Sequence, residues 1–301
     1  MAEEWIKKAT EPTPKTITST PVASTPTGKK NYFQDGGDET KKGLDIVLYG
    51  DSNTGKTYLA NTFPEPIYFI DTENRENKTK QFHFNKKNIK IAMPLEIRMD
   101  YKESKDLENA VDMEKSVDNL INSLIQISNE VKEGKITNGT IVVDSMTDVW
   151  SWIMEEGKIR LARAGKIDMN LFRVKNQMDW GGITSKYISF LLSVKSLTNQ
   201  GMNVVLTARE KRIPDYVATP NSFNKFEDRI NTQKTTAYHI STIINLIAKQ
   251  YKTPIGIKKK RIAKIEKLES VDVQDIEIED LSYDKLKKLI DEKRSELIGG
   301  K

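Results

Sequence analysis

Apolar side chains enter this chain in two rhythms, and each predicts its own kind of element. Ile46-Val-Leu-Tyr49, Pro66-Ile-Tyr-Phe-Ile-Asp71, the shorter Ile89-Lys-Ile-Ala-Met93, Thr140-Ile-Val-Val-Asp144 and Met202-Asn-Val-Val-Leu-Thr207 are compact runs. Such runs read as strands buried on both faces. Residues 112–132 instead place Met113, Val117, Leu120, Ile121, Leu124, Ile127 and Val131 at helical spacing. They predict an amphipathic helix that Gly134 ends. Further helices are expected after Asp144 to about residue 164, from Gly182 to about Ser196, and over Ser282–Leu297 through Leu286, Leu289, Ile290 and Leu297. A long polar loop should follow Thr207, and Ser241–Ala248 and Arg261–Leu268 read as two antiparallel strands at one edge. Strand–helix alternation of this kind predicts an α/β fold with a mainly parallel central sheet, flanking helices, antiparallel edge strands and a C-terminal helix.

Residues 1–42 fall outside that pattern. Thr10-Glu-Pro-Thr-Pro, Ser19-Thr-Pro, Ser24-Thr-Pro-Thr-Gly and Asp35-Gly-Gly-Asp make a stretch poor in apolar residues. It buries too little to offset its ordering entropy and reads as a flexible arm. Trp5-Ile6 and Tyr32-Phe33 are its large apolar points, either incidental or, for Tyr32-Phe33, an anchor for a neighbouring subunit. The predicted organisation is an arm at 1–42, an α/β core at 43–250 and an appended 251–301. Within the last, Lys258-Lys-Lys-Arg261 reads as a basic turn between strands, either a solvated edge or a contact for phosphate or a neighbouring subunit, and Glu269–Asp280 as an acidic segment.

Composition narrows the chemistry. The chain has no cysteine and only His83 and His239, which excludes disulfides, thiolate zinc sites, cysteine nucleophiles and a histidine-rich metal centre. No run of eighteen apolar residues predicts a membrane span and Met1-Ala-Glu-Glu-Trp-Ile is not a signal peptide, so a cytoplasmic protein is expected. A net charge of +5 and a pI near 9.0 permit a polyanionic partner without requiring one.

The candidate chemistry begins where the first strand ends. Gly50, Asp51, Ser52, Asn53, Thr54, Gly55, Lys56 and Thr57 fit the phosphate-loop pattern G-x-x-x-x-G-K-[ST], with Tyr58 next in line. Glycines let successive N–H groups curl around an anionic chain, and the following helix start adds its own free N–H groups. Lys56 would reach the β- and γ-phosphates and the Thr57 hydroxyl would ligate Mg²⁺. Asp144 closes a strand, where a carboxylate faces the crevice that holds such a loop; the lesser alternative is that Asp144 or Ser145 caps a helix. Glu73, in Asp71-Thr-Glu73, either orients and deprotonates an attacking water or is an exposed loop acid.

Taken together, Gly50–Thr57, Phe69-Ile-Asp-Thr-Glu73, Ile141-Val-Val-Asp-Ser145 and Val204-Val-Leu-Thr-Ala-Arg209 resemble the ATPase core of the RecA/RadA recombinases. The resemblance is closest to the short RecA-like ATPases of bacteriophages and archaeal viruses, and it covers roughly residues 43–250. It implies a RecA-like fold binding ATP with Mg²⁺, with Glu73 activating water, Thr57 and Asp144 on the metal side, and a γ-phosphate sensor at the end of the Asn203–Thr207 strand. It also implies a ring or filament of identical subunits acting on single-stranded DNA in annealing or recombination. Two departures limit it. Recombinases carry a glutamine near the sensor, where this chain reads Thr207-Ala-Arg209-Glu-Lys-Arg212, leaving Arg209 as candidate sensor and Lys211 or Arg212 as candidate fingers toward a neighbour. The helical N-terminal DNA-binding domain of the archaeal recombinases has no counterpart in the sequence.

In the recombinase core, DNA-contacting loops follow the second carboxylate's helix and the sensor strand. The corresponding stretches here are Arg160–Trp180, with Arg160, Arg163, Lys166, Phe172, Arg173 and Lys175, and Ile213–Tyr238, with Tyr216, Phe223, Lys225, Phe226, Arg229 and Lys234. Of these, Arg163, Lys166, Arg173, Lys175, Phe223, Lys225 and Phe226 are the candidate DNA contacts. Cations interleaved with rings suit single strands; Trp180 fits packing against the core as well as stacking on a base. A phosphate-loop motor such as a helicase or packaging ATPase, a small-molecule kinase and a non-hydrolysing ATP-switched scaffold remain the alternatives.

Overall fold

The computed structural model describes residues 42–73, 88–97, 111–167, 177–214, 226–253, 256–268 and 276–299. All of these lie in one unit, Glu39–Lys301. Nine strands form a single sheet: β1 (Asp45–Gly50), β2 (Ile67–Asp71), β3 (Ile89–Ala92), β4 (Thr140–Asp144), β5 (Asn203–Pro214), β6 (Phe226–Ile230), β7 (Thr242–Thr253), β8 (Gly256–Leu268) and β9 (Ile276–Glu279). Their order is β3-β2-β4-β5-β1-β7-β8-β9, with β6 paired to β5. From β3 through β7 every neighbouring pair is parallel; β7–β8, β8–β9 and β5–β6 are antiparallel. A mainly parallel sheet with antiparallel edges, flanked by helices, is the architecture expected for a RecA-like core.

The apolar runs explain the layering. β1, β2 and β4 are buried on both faces because helices cover both. On one side, helices α2 (Met113–Lys132), α3 (Met146–Arg163) and α4 (Gln177–Asn199) deliver Leu120, Leu124, Ile153, Tyr187 and Leu191 onto Val47, Ile141, Val204 and Leu206. On the other, the short α1 (Lys56–Ala60) and α6 (Tyr283–Gly299) set Leu59, Leu286 and Ile290 against Leu48, Phe69, Val205 and Ile265. The C-terminal helix is therefore part of the core. The Tyr283 and Phe63 rings meet at a tilt with centroids 4.9 Å apart, and the Tyr283 N–H donates to Thr62 Oγ1 at 2.9 Å. A short helix, α5 (Thr236–His239), precedes β7. Among the described residues no helix is long and apolar enough to cross a membrane.

Four expectations need correction. The polar loop expected after Thr207 begins as strand: β5 runs on to Pro214, and Glu210–Pro214 pairs with Phe226–Ile230 as an antiparallel arm. The charged runs Glu210-Lys-Arg212 and Glu227-Asp-Arg229 give no apolar alternation, and the arm is held as strand by its backbone pairing. Helix α4 starts at Gln177, five residues before Gly182. Gly181 and Gly182 lie within it, and the start is held by Trp180 packing on the core and by Lys166 pairing with Asp179 at 3.3 Å. Lys258–Arg261 is not a turn but lies within β8, in register with Tyr251, Gln250, Lys249 and Ala248. The late strands are longer than expected, and the position taken as the end of the core, residue 250, falls inside β7.

Candidate nucleotide-binding site

The carboxyl ends of β1, β2 and β4 and the middle of β5 converge on one cleft of about 790 Å³. The loop after β1 leaves the sheet at Gly50, whose φ is 147° and whose added Cβ would lie 2.3 Å from the Leu246 carbonyl oxygen, so no other residue fits. Thr54 Oγ1 donates to the Asp51 carbonyl at 3.0 Å, Ser52 N–H donates to Asp51 Oδ1 at 2.7 Å, and Gly55 takes φ 100° to enter α1. Because α1 spans only five residues, the phosphate grip rests on the loop and on Lys56 more than on a long helix dipole. Lys56 Nζ donates to the carbonyls of Gly50 at 2.9 Å and Asp51 at 2.8 Å, which holds the ammonium across the mouth of the loop. Burial lowers its pKa from the ordinary lysine value, opposed by the nearby carboxylates of Asp144, Asp51, Glu210 and Glu73.

Strand order places β5 between β1 and β4, so α1, β4 and β5 meet at one carboxylate. Thr57 Oγ1 donates to Asp144 Oδ2 at 2.8 Å, and Thr207 Oγ1 of β5 donates to Asp144 Oδ1. The helix-capping role falls to the next residue. Ser145 is the N-cap of α3: its Oγ accepts from Asp148 N–H at 3.4 Å and donates to Asp148 Oδ2 at 2.7 Å, which leaves Asp144 facing the cleft. The Asp144–Ser145 peptide is cis. Thr72 Oγ1 accepts from Ser145 N–H at 2.7 Å, which ties the β2 end to the β4 end.

Glu73 stands at the cleft wall beyond β2, its N–H donating to Asp71 Oδ1 at 3.0 Å. Arg209 Nη2 lies 2.6 Å from Glu73 Oε1 and 3.1 Å from Asp148 Oδ1, while its backbone N–H donates to Thr147 Oγ1 at 2.9 Å. The Glu73 hydrogen bond, then the Asp148 charge, raise the guanidinium pKa against some burial. The site thus has a basic and hydroxylic floor, a carboxylate beside it and an arginine–glutamate pair opposite. Thr57 Oγ1 and Asp144 are hard oxygen donors on one side of the loop, which suits a Mg²⁺ ion that keeps waters and phosphate oxygens as its other ligands.

A family profile described as AAA domain matches residues 42–275. The chain belongs to this AAA-domain family. Its match spans the phosphate loop, Glu73, Asp144 and the β5–β6 arm, and reaches through β8. No curated protein matches the sequence. Among solved structures, a KaiC-like protein from the hyperthermophilic archaeon Pyrococcus horikoshii is similar at 16% identity, over 79% of this chain and 85% of that one, with a TM-score of 0.39.

In this AAA domain the cleft brings together Gly50–Tyr58 (with Thr54 buried in the loop beneath), Glu73, Asp144 and Arg209. Lys211 and Arg212 follow Arg209 on β5 but do not line the cleft, and strand alternation points them to opposite faces. Of the candidate DNA contacts, Arg163 pairs with Glu114 at 2.9 Å, Lys166 with Asp179, and Phe226 opens β6 opposite Pro214. Arg173, Lys175, Phe223 and Lys225 lie outside the described residues. Sequence reasoning missed Thr72, Asp148 and the Thr207 hydroxyl, and it did not place Lys259 and Arg261 of β8 in the cleft wall. Ser145-x-x-Asp148 was a legible capping pattern; for Arg261 the basic run Lys258–Arg261 was a signal for phosphate contact, but its place in this cleft depends on β8 pairing beside β7.

Proposed function

We propose that this AAA domain is an ATPase that assembles as a homo-oligomer and binds single-stranded DNA, in annealing or recombination, under the control of ATP. The observation that carries the ATPase half is the junction of Thr57, Thr207 and Asp144 beside the Glu73–Arg209 pair. Lys56 and the loop N–H groups hold the β- and γ-phosphates. Thr57 and Asp144 would hold Mg²⁺, which when bound offsets the charge of the phosphate oxygens. Glu73 takes a proton from water as that water attacks the γ-phosphorus, and the bond to the ADP oxygen breaks. An arriving γ-phosphate competes with Glu73 for the Arg209 guanidinium, so the residue that senses phosphate also frees the base.

The DNA half is supported by the recombinase resemblance and the +5 net charge. On the β5–β6 arm Lys211 is opposite Arg229 and Arg212 is opposite Asp228, two and three residues beyond Arg209. In the oligomer one of Lys211 and Arg212 would face a neighbour's nucleotide, since the pleat separates them.

The test is steady-state ATP hydrolysis with and without single-stranded DNA at two salt concentrations. Stimulation that fades as salt rises is the expected result. No DNA effect at low salt removes the DNA half, and no hydrolysis with intact ATP binding returns the chain to an ATP-switched scaffold.

A further inference from the structure

The nucleotide cleft has two unlike ends. Glu73, Asp144 and Arg209 crowd one, which is where the γ-phosphate must point if Glu73 is to reach the attacking water. The base must then lie toward the other end, where Tyr58 and Arg261 meet. Tyr58 follows the phosphate loop directly and leaves its ring half exposed. Arg261 reaches it from β8, a strand outside the parallel sheet, and sets its guanidinium 4.8 Å from the ring centroid. The same side chain crosses Gly55: a Cβ there would lie 2.9 Å from Arg261 Cδ. Arg261 is held in place by its carbonyl, which accepts from Asp280 N–H at 3.0 Å, and by its register with Ala248.

We propose that Tyr58 and Arg261 form the base-stacking wall of the site and accept the purine ring of ATP. This rests on the nucleotide reading of the cleft. A phenol ring and a planar guanidinium in contact offer an extended flat surface to a heteroaromatic ring. Such stacking depends on the π face and is indifferent to the phosphates, which the loop and Lys56 hold separately. β8 thereby belongs to the binding site, and Gly55 is required for the passage of Arg261 as well as for the turn.

The experiment is calorimetric titration of the full chain with ATP and, separately, with inorganic tripolyphosphate, both with Mg²⁺. Tyr58→Ala and Arg261→Met are each expected to weaken ATP about tenfold and to leave tripolyphosphate within about twofold; Tyr58→Phe should bind ATP as wild type does. Lys56→Ala should weaken both ligands. If Arg261→Met weakens tripolyphosphate as much as ATP, Arg261 is a phosphate ligand and the wall is overturned. If neither Tyr58→Ala nor Arg261→Met changes ATP binding while Lys56→Ala does, the wall fails and the nucleotide site stands. Wild-type protein that binds neither ligand overturns both.

Discussion

Glu73→Gln removes the charge of the proposed base while keeping its shape, and the structure lets its structural and chemical effects be separated. Two unit charges about 4 Å apart attract by about 4 kcal/mol at an effective dielectric constant near 20. Arg209, however, is 50% exposed, and its second partner, Asp148, stays at 3.1 Å after the change. Solvent screening therefore reduces the loss to about 1 kcal/mol of stability, a melting shift of a few degrees at most. Loss of a general base costs about 10²–10⁴ in rate. Phosphate release at saturating ATP and Mg²⁺ should fall by at least about a hundredfold, with ATP bound no more weakly than by wild type, since Arg209 loses the carboxylate that competes for it, and the fold intact by thermal melt. Pairing the change with Arg209→Gln should give less than the product of the two single effects, because both act on one event. A kcat within threefold of wild type, or a fall matched by loss of folded protein, would refute this role for Glu73.

Lys56 grips phosphate as the ammonium, and burial favours its neutral form. ATP affinity, measured by titration across pH, should therefore decline as pH rises through the lowered Lys56 pKa, in a range where an ordinary lysine stays charged; Lys56→Met should bind weakly at every pH and show no such decline. Asp144→Asn leaves one amide oxygen for two hydroxyl donors, Thr57 and Thr207, so about 1–2 kcal/mol of stability should be lost in denaturant titration. The same variant should bind ATP equally with and without Mg²⁺. Gly157→Ala places a Cβ 2.5 Å from Ile183 Cγ1 at the α3–α4 contact. Helix propensity alone would stabilise it by about 1 kcal/mol, but overpacking of about 1–3 kcal/mol opposes that, so urea unfolding should show net destabilisation.

The parallel core was legible because burial writes itself into sequence. β1, β2 and β4 are continuous apolar runs, and α2 shows its buried stripe and ends beside Gly134, at φ 70°. What escaped lies where structure is held by backbone pairing or by long-range contact. The β5–β6 arm is dominated in sequence by Glu210-Lys-Arg212 and Glu227-Asp-Arg229, and the far ends of β7 and β8 by Lys249-Gln250 and Lys258-Lys-Lys260, so neither clean alternation nor an apolar run marks them. The start of α4 was hidden by Gly181 and Gly182, residues that read as a break and are tolerated because neighbours tie the first turn. At the site, the phosphate-loop residues declared themselves by spacing. Thr207 and Arg261 did not, since each matters only through the strand that lies beside it.

β5 is one unbroken strand of twelve residues, from the sheet centre to the end of the arm. At about 3.3 Å per residue, Pro214 sits roughly 17 Å beyond Arg209, with no hinge glycine between them. Arg209 is the seventh of its twelve residues and lines the cleft, so the strand that walls the proposed nucleotide site carries Lys211 and Arg212 only two and three residues farther out. Its pleat also fixes phase: one residue inserted between Arg209 and Lys211 would exchange the faces of every side chain farther out, leaving the cleft end untouched and reversing what the arm presents.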